Sequence, residues 1–139
     1  MHSRCIERLR VALRIVLSAI YLAAAALHLA AGSQMLAIMP PAIPFPGAVV
    51  ALTGLCEIAG ASGLLWKPTR WWAGVMLALY AVCVWPANIY QALWQVHVPP
   101  LPDSWWYHGP RIAFQPVLIW AALFAGRVIA WPFRCKGQA

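Results

Sequence analysis

The stretch Gly47–Trp66, GAVVALTGLCEIAGASGLLW, holds twenty residues, of which only Glu57 carries a charge. Twenty apolar residues in an α-helix cover the ~30 Å hydrocarbon core of a bilayer at a rise of ~1.5 Å per residue. An ionised side chain at the centre of such a helix costs roughly 2.5–3.5 kcal/mol on insertion scales. The stretch therefore predicts a membrane-spanning helix, and Glu57 predicts a polar partner or a function inside it.

The composition of the whole chain agrees with a membrane protein. Of its 139 residues, 63% are hydrophobic and 9% are charged, and the mean hydropathy is +0.72. Soluble domains are typically about 45–50% apolar and about 25% charged. We predict an all-α integral membrane fold, one domain over residues 1–139 that is a bundle of four transmembrane helices. The predicted spans lie at about 9–31, 47–66, 71–93 and 112–131.

The placement of the basic residues predicts how the bundle is oriented. In a four-span arrangement, nine of the ten Lys and Arg residues fall on one side of the membrane, and only Arg111 falls on the other. Loops rich in Lys and Arg stay in the cytoplasm, so both termini are predicted to be cytoplasmic. The net charge of +7 is then explained by the orientation of a membrane protein, and we expect no nucleic-acid partner. The nine residues are Arg4, Arg8, Arg10, Arg14, Lys67, Arg70, Arg127, Arg134 and Lys136.

Five polar residues fall at related depths along the predicted helices. Counting along each span places all of them between the midplane and the outer end, and none in the cytoplasmic third. This one-sidedness predicts a polar pocket that opens outward. Its predicted residues are His28, Glu57, Asn88, Arg111 and Gln115.

Two readings of these five residues remain open. In a pocket, Glu57 would be ionised if it paired with Arg111, or protonated if it were buried alone. His28 titrates near neutrality and could relay a proton or bind a ligand oxygen, and the two amides could orient a carbonyl or hydroxyl group. Interhelical polar contacts also hold membrane bundles together without any ligand, each contributing ~0.6 kcal/mol on average.

The sequence lacks the residue patterns that are typical of several kinds of functional site. His28, His97, His108 and Asp103 are predicted on the outer side, but their spacing matches no metal-ligand motif, so we predict no metal site. There is no Cys-x-x-Cys pair for thiol–disulfide exchange. Nucleophile–base arrangements, phosphate-binding loops and the H-E-x-x-H motif are also missing, so no enzyme class is indicated.

The motifs together resemble the DoxX-like family of small bacterial membrane proteins. The resemblance implies a four-helix bundle in the bacterial cytoplasmic membrane, with the five polar positions as a family site. The family takes its name from a subunit tied to quinone-linked respiratory and sulfur oxidation, and other members are linked to redox and stress physiology. The matching residues are His28, Met39-Pro40-Pro41, Ile43-Pro44, Thr53-Gly54, Glu57, Gly60, Gly63-Leu64-Leu65, Thr69-Arg70, Ala73-Gly74, Pro86-Ala87-Asn88-Ile89-Tyr90, Arg111 and Gln115.

Three functions are open on this basis. The first is an accessory or scaffold subunit of a membrane redox or stress-related system, which the small size and the lack of a complete catalytic constellation favour. The second is a membrane protein that binds a quinone or another lipophilic small molecule in the outward pocket. The third is a small-solute transporter, which would need an oligomer because four helices form no path alone. Besides the lipid bilayer, the expected partners are a membrane or peripheral redox protein and a second copy of the chain.

Overall fold

The structure is a computed structural model that describes residues 2–99 and 101–133. Within these ranges every regular element is a helix, which confirms the predicted all-helical class. Arg134 and Lys136, which were counted among the basic residues, lie outside the described residues. The helices are α1 (His2–Ala30), α2 (Gly32–Ala37), α3 (Pro46–Leu65), α4 (Arg70–Trp94), α5 (Trp105–Ala113) and α6 (Gln115–Ala125).

Three of these helices, α1, α3 and α4, are long and apolar enough to cross a membrane. At a rise of ~1.5 Å per residue, even the shortest of them reaches about 30 Å. Their ends agree with the first three predicted spans to within a few residues. The candidate spans are Arg4–Ala30, Pro46–Leu65 and Arg70–Trp94.

The region of the fourth predicted span, residues 112–131, differs from the single helix that we predicted. Two shorter helices, α5 and α6, meet at Phe114, and α6 ends at Ala125. Pro116 has no N–H to bond back to the preceding turn, which explains the break near the start of α6. Arg127 has a φ of 63°, so the backbone after α6 cannot continue as a right-handed helix. Phe114 keeps helical angles, and α5 and α6 together run for about 30 Å.

The long helices and α6 pack as a closed ring. α1 contacts α3, α3 contacts α4, α4 contacts α6, and α6 contacts α1. Small residues allow the close approach, as expected for helices that associate in a membrane. A Cβ added to Gly63 would lie 2.8 Å from the Ala73 Cβ, and one added to Gly60 would collide with Leu77. These glycines therefore let α3 and α4 pack closely against each other.

A cluster of charged groups lies at one end of the ring, which we call the basic end. This end consists of the first turns of α1, the turn between α3 and α4, and the segment after α6. Arg14 donates to the Ala125 carbonyl at 2.9 Å and to Glu7 at 3.0 Å, and Glu7 also pairs with Arg127 at 2.8 Å. Arg14 and Ser18 are only 4% and 3% exposed. Buried polar groups therefore also occur at the basic end, where Arg14 folds inward onto the Ala125 carbonyl at the end of α6.

The contact between α4 and α6 makes a prediction about stability. A Cβ added to Gly126 would lie 2.7 Å from the Gly74 Cα and 2.9 Å from the Arg70 carbonyl oxygen. These are backbone atoms, so relief requires the two helices to separate. We expect Gly126→Ala to lower the free energy of unfolding by about 1–3 kcal/mol, measured by denaturant titration in detergent. Gly109→Ala is the control, because its added Cβ meets no neighbouring atom of the described chain within 4 Å. Equal stability of both variants would contradict this packing.

Candidate functional site

A cavity of about 360 Å³ lies among α1, α3, α4, α5 and α6, toward the end of the ring opposite the basic end. Its wall is mostly aliphatic and aromatic, with side chains such as Ile20, Leu27 and Leu118. Polar groups interrupt this wall. All five predicted site residues line the cavity: His28, Glu57, Asn88, Arg111 and Gln115.

Glu57 extends from the middle of α3 and is 3% exposed. Its Oε1 accepts a hydrogen bond from the Tyr80 hydroxyl at 2.5 Å. Its Oε2 lies 3.6 Å from the His28 Nε2, which is longer than a hydrogen bond. Among the described residues, this Oε2 has no hydrogen-bond partner. One oxygen of the buried carboxylate is therefore satisfied and the other is not.

The His28 ring is oriented by Thr53. The Thr53 hydroxyl lies 2.7 Å from the Val50 carbonyl oxygen and 3.3 Å from the His28 Nδ1. Because a carbonyl can only accept, the Thr53 hydrogen is directed to Val50, and Nδ1 must carry the hydrogen that it shares with Thr53. In the neutral ring, Nε2 is then an acceptor. If Glu57 is ionised, it and His28 present two acceptor atoms to each other, and no hydrogen lies between them.

Arg111, on α5, does not pair with Glu57. Its guanidinium donates to the Gln91 Oε1 at 2.6 Å and to the Asn88 Oδ1 at 2.7 Å, and it lies 5.7 Å from the Tyr107 ring centroid. Among the described residues, no carboxylate forms an ion pair with Arg111. Of the two alternatives for Glu57, the pair with Arg111 is therefore not realised, but the carboxyl group is not buried alone either, because the Tyr80 hydroxyl donates to it and His28 lies beside it. Arg111 instead ties α5 to the last turns of α4.

Gln115 has a structural bond of its own. Its Nε2 donates to the Ala81 carbonyl oxygen at 2.6 Å, which fastens α6 to α4 just before Pro86. Gln115 is 3% exposed, so this bond satisfies an amide that water does not reach. Its side chain lines the cavity, and one of its two amide N–H donors is used in this bond.

Tyr80 is the main site residue that the sequence analysis missed. It lies on the same stripe of α4 as Asn88 and Gln91, at steps of eight and three residues, so its position was open to the same periodicity argument. A tyrosine within an apolar, Trp-rich helix reads as packing unless a buried carboxylate is known to face it. The Tyr21 ring packs edge-on against it at 5.9 Å.

The comparison with protein families gives one result. A family model described as a domain of unknown function, DUF8561, matches residues 17–126. The chain belongs to the DUF8561 family. The match covers more than half of the chain and contains the whole cavity, whereas Glu7 and Arg14 of the basic end lie before it. No curated protein and no solved structure matches this DUF8561 chain.

The histidines outside the cavity do not assemble a metal site. His97 and Asp103 contact each other through Nδ1 and Oδ2 on the surface. His108 is 2% exposed, and neither of its ring nitrogens has a hydrogen-bond partner among the described residues. In the part of the chain that the structure describes, no three His, Cys, Asp or Glu residues converge as metal ligands.

The two hydrogen bonds of the Arg111 guanidinium lead to a prediction about stability. Arg111→Leu leaves the Gln91 and Asn88 oxygens without their donor, and each unsatisfied buried polar group costs about 1–3 kcal/mol. We expect a clear loss of stability in Arg111→Leu, measured by thermal unfolding in detergent. The stability of Arg111→Lys should lie between those of Arg111→Leu and the wild type, because an ammonium group lacks the planar, two-pronged geometry of a guanidinium. Combining Arg111→Leu with Asn88→Leu tests the contact. The double variant should lose less than the sum of the single losses, and strict additivity would contradict the geometry.

Proposed function

We propose that this DUF8561 protein is a multi-pass membrane protein that binds a small lipophilic ligand with a polar head group in the cavity. The observation that carries the proposal is the Glu57 carboxylate. It is buried at the middle of an apolar helix, lines a cavity, and keeps one oxygen without a partner beside His28. Burying a polar group without a hydrogen bond is costly, so such an atom favours a ligand that completes it.

The other buried polar groups support this by contrast. Ser18 donates to the Ala61 carbonyl at 2.9 Å, and Arg14 and Gln115 bond carbonyls of neighbouring helices in the same way. These are interhelical bonds of the kind that a purely structural role requires, although the Nη2 of Arg14 has no partner among the described residues. Glu57 and His28 instead face each other at 3.6 Å without a hydrogen bond. A structural contact alone gives no reason for a carboxylate at this position.

The placement in the membrane is part of the proposal. α1, α3, α4 and the α5–α6 pair would form four spans, with the basic end in the cytoplasm and the cavity toward the outer face. The cluster of Arg14, Arg70 and Arg127 at one end supports this orientation through the positive-inside rule. The bacterial cytoplasmic membrane and the kinship with DoxX-like proteins remain predictions from the sequence.

The accessory-subunit function is the competing proposal. It explains the small size but gives no role to the cavity or to the unpaired oxygen of Glu57. A redox protein partner, a homo-oligomer and a quinone as the ligand remain predictions as well. A transporter is disfavoured for a single chain, because Ala61, Leu64 and Leu77 pack the ring with 0% exposure between the cavity and the basic end.

The proposal predicts that a ligand is retained through Glu57. Native mass spectrometry of the protein, extracted from its own membranes in mild detergent, should show a stoichiometric small-molecule mass on the wild type. Glu57→Gln keeps the shape of the side chain but removes its charge, so the variant should fold and lose that mass. The matched control is Glu7→Gln at the basic end, which should retain the ligand although it breaks pairs with Arg14 and Arg127. A wild-type chain that carries no small molecule and arrives with another protein would favour the accessory function.

A further inference from the structure

We infer that the ligand is an amphiphile with a neutral hydroxyl head and an apolar tail. The hydroxyl would donate its hydrogen into the gap between the His28 Nε2 and the Glu57 Oε2, and the tail would lie in a second compartment between α1 and α3. The inference rests on the proposed function and specifies its ligand chemistry. It follows from which hydrogen-bonding groups of the cavity are already used.

The polar groups around the cavity differ in what they still need. Arg111 donates to two amide oxygens, Gln115 donates to the Ala81 carbonyl, and the Tyr80 hydroxyl donates to Glu57. The Glu57 Oε2 has no hydrogen-bond partner among the described residues, and with Glu57 ionised and His28 neutral it and the adjacent His28 Nε2 are both acceptors. A carbonyl or ether oxygen can only accept, so it cannot complete this pair, whereas a hydroxyl can.

The charge of the cavity argues against a cationic donor. Arg111 lines the same cavity, and no carboxylate of the described chain neutralises it through an ion pair. An ammonium group would be attracted by an ionised Glu57 but repelled by Arg111, and it would lose its hydration on entry. A neutral hydroxyl avoids both the repulsion and this loss of hydration. A hydrogen bond from a hydroxyl to a carboxylate is also stronger than one between neutral groups.

The place for the tail is a cleft of about 490 Å³ between α1 and α3, flanked by α2. Its wall is small and aliphatic, and two of its side chains, Leu29 and Leu55, are 83% and 63% exposed on the outer face of the ring. The cleft shares His28 and Val50 with the inner cavity, so the two compartments adjoin at the site of the head group. An apolar tail that leaves the cavity past His28 would therefore pass into a groove that faces lipid.

The test compares para-nonylphenol with its methyl ether, para-nonylanisole, which keeps the ring, the tail and the oxygen but has a methyl group in place of the hydroxyl hydrogen. Binding of each probe to the full-length protein in detergent is measured by native mass spectrometry over a concentration series. We expect the phenol to bind at least about tenfold more tightly, the lower bound for a hydrogen bond to a charged group. This ratio should fall toward one in Glu57→Gln and persist in Glu7→Gln. The comparison on the wild type needs no variant, so misfolding of Glu57→Gln leaves the test intact.

The tail is tested by filling the cleft. Ala51 lines the cleft and Ala48 lies one turn earlier on α3 outside its wall; both are exposed. Ala51→Phe should reduce the preference for para-nonylphenol over para-ethylphenol by about tenfold, whereas Ala48→Phe should leave it unchanged. An unchanged preference in Ala51→Phe would overturn the placement of the tail.

The outcomes separate this inference from the proposed function. Equal affinities of phenol and ether in the wild type would overturn the hydroxyl head group, even if a cellular ligand were still retained through Glu57. If neither probe bound and the protein from its own membranes carried no small molecule, both the inference and the proposed function would fail. A phenol preference that depends on Glu57 supports both.

Discussion

A carboxylic acid in the middle of an apolar helix must find its hydrogen-bond partners inside the protein, and the cavity end of this bundle depends on how Glu57 does so. α3 carries Glu57, α4 brings the Tyr80 hydroxyl to one oxygen, and α1 brings His28 near the other. The tyrosine bond holds the carboxyl group in place. The unsatisfied oxygen and the ring nitrogen then face each other, so the site would already be organised for the ligand that we propose. Such preorganisation lowers the cost of binding, because the polar groups need not be reoriented.

The two ends of the ring use buried polar groups differently. At the basic end, Arg14 is neutralised by Glu7 and bonded to the end of α6, so its charge is balanced within the bundle. At the cavity end, Arg111 is bonded only to neutral amides, so its charge remains in the wall of the cavity. The packed layer between them, which includes Leu64 and Leu77, keeps the ends apart. This division explains how one small chain combines a stable bundle with a site that is left incomplete.

Much of the fold could be predicted from the sequence, because length and apolarity determine a membrane helix with little help from tertiary contacts. The periodicity and depth of His28, Glu57 and Asn88 were also enough to anticipate that they meet at one cavity, although their role in binding remains a prediction. The hydrogen-bond partners of these residues were harder to predict, because the depth of a residue along a helix does not determine which atoms face each other. A pair between Arg111 and Glu57 was one of two open alternatives, yet the Arg111 guanidinium bonds the amide oxygens of α4 instead. The break near Pro116 depends on the local loss of one backbone hydrogen bond.

The most direct measurement is an experimental structure of the protein, purified from its own membranes into lipid nanodiscs, at a resolution that shows individual side chains. The account predicts density between the His28 Nε2 and the Glu57 Oε2, within hydrogen-bond distance of both, that continues past Val50 into the cleft between α1 and α3. It also predicts that the Tyr80 hydroxyl still contacts the carboxyl group. A direct hydrogen bond between His28 and Glu57, with the cavity collapsed around them, would contradict the account and make the five residues a structural network.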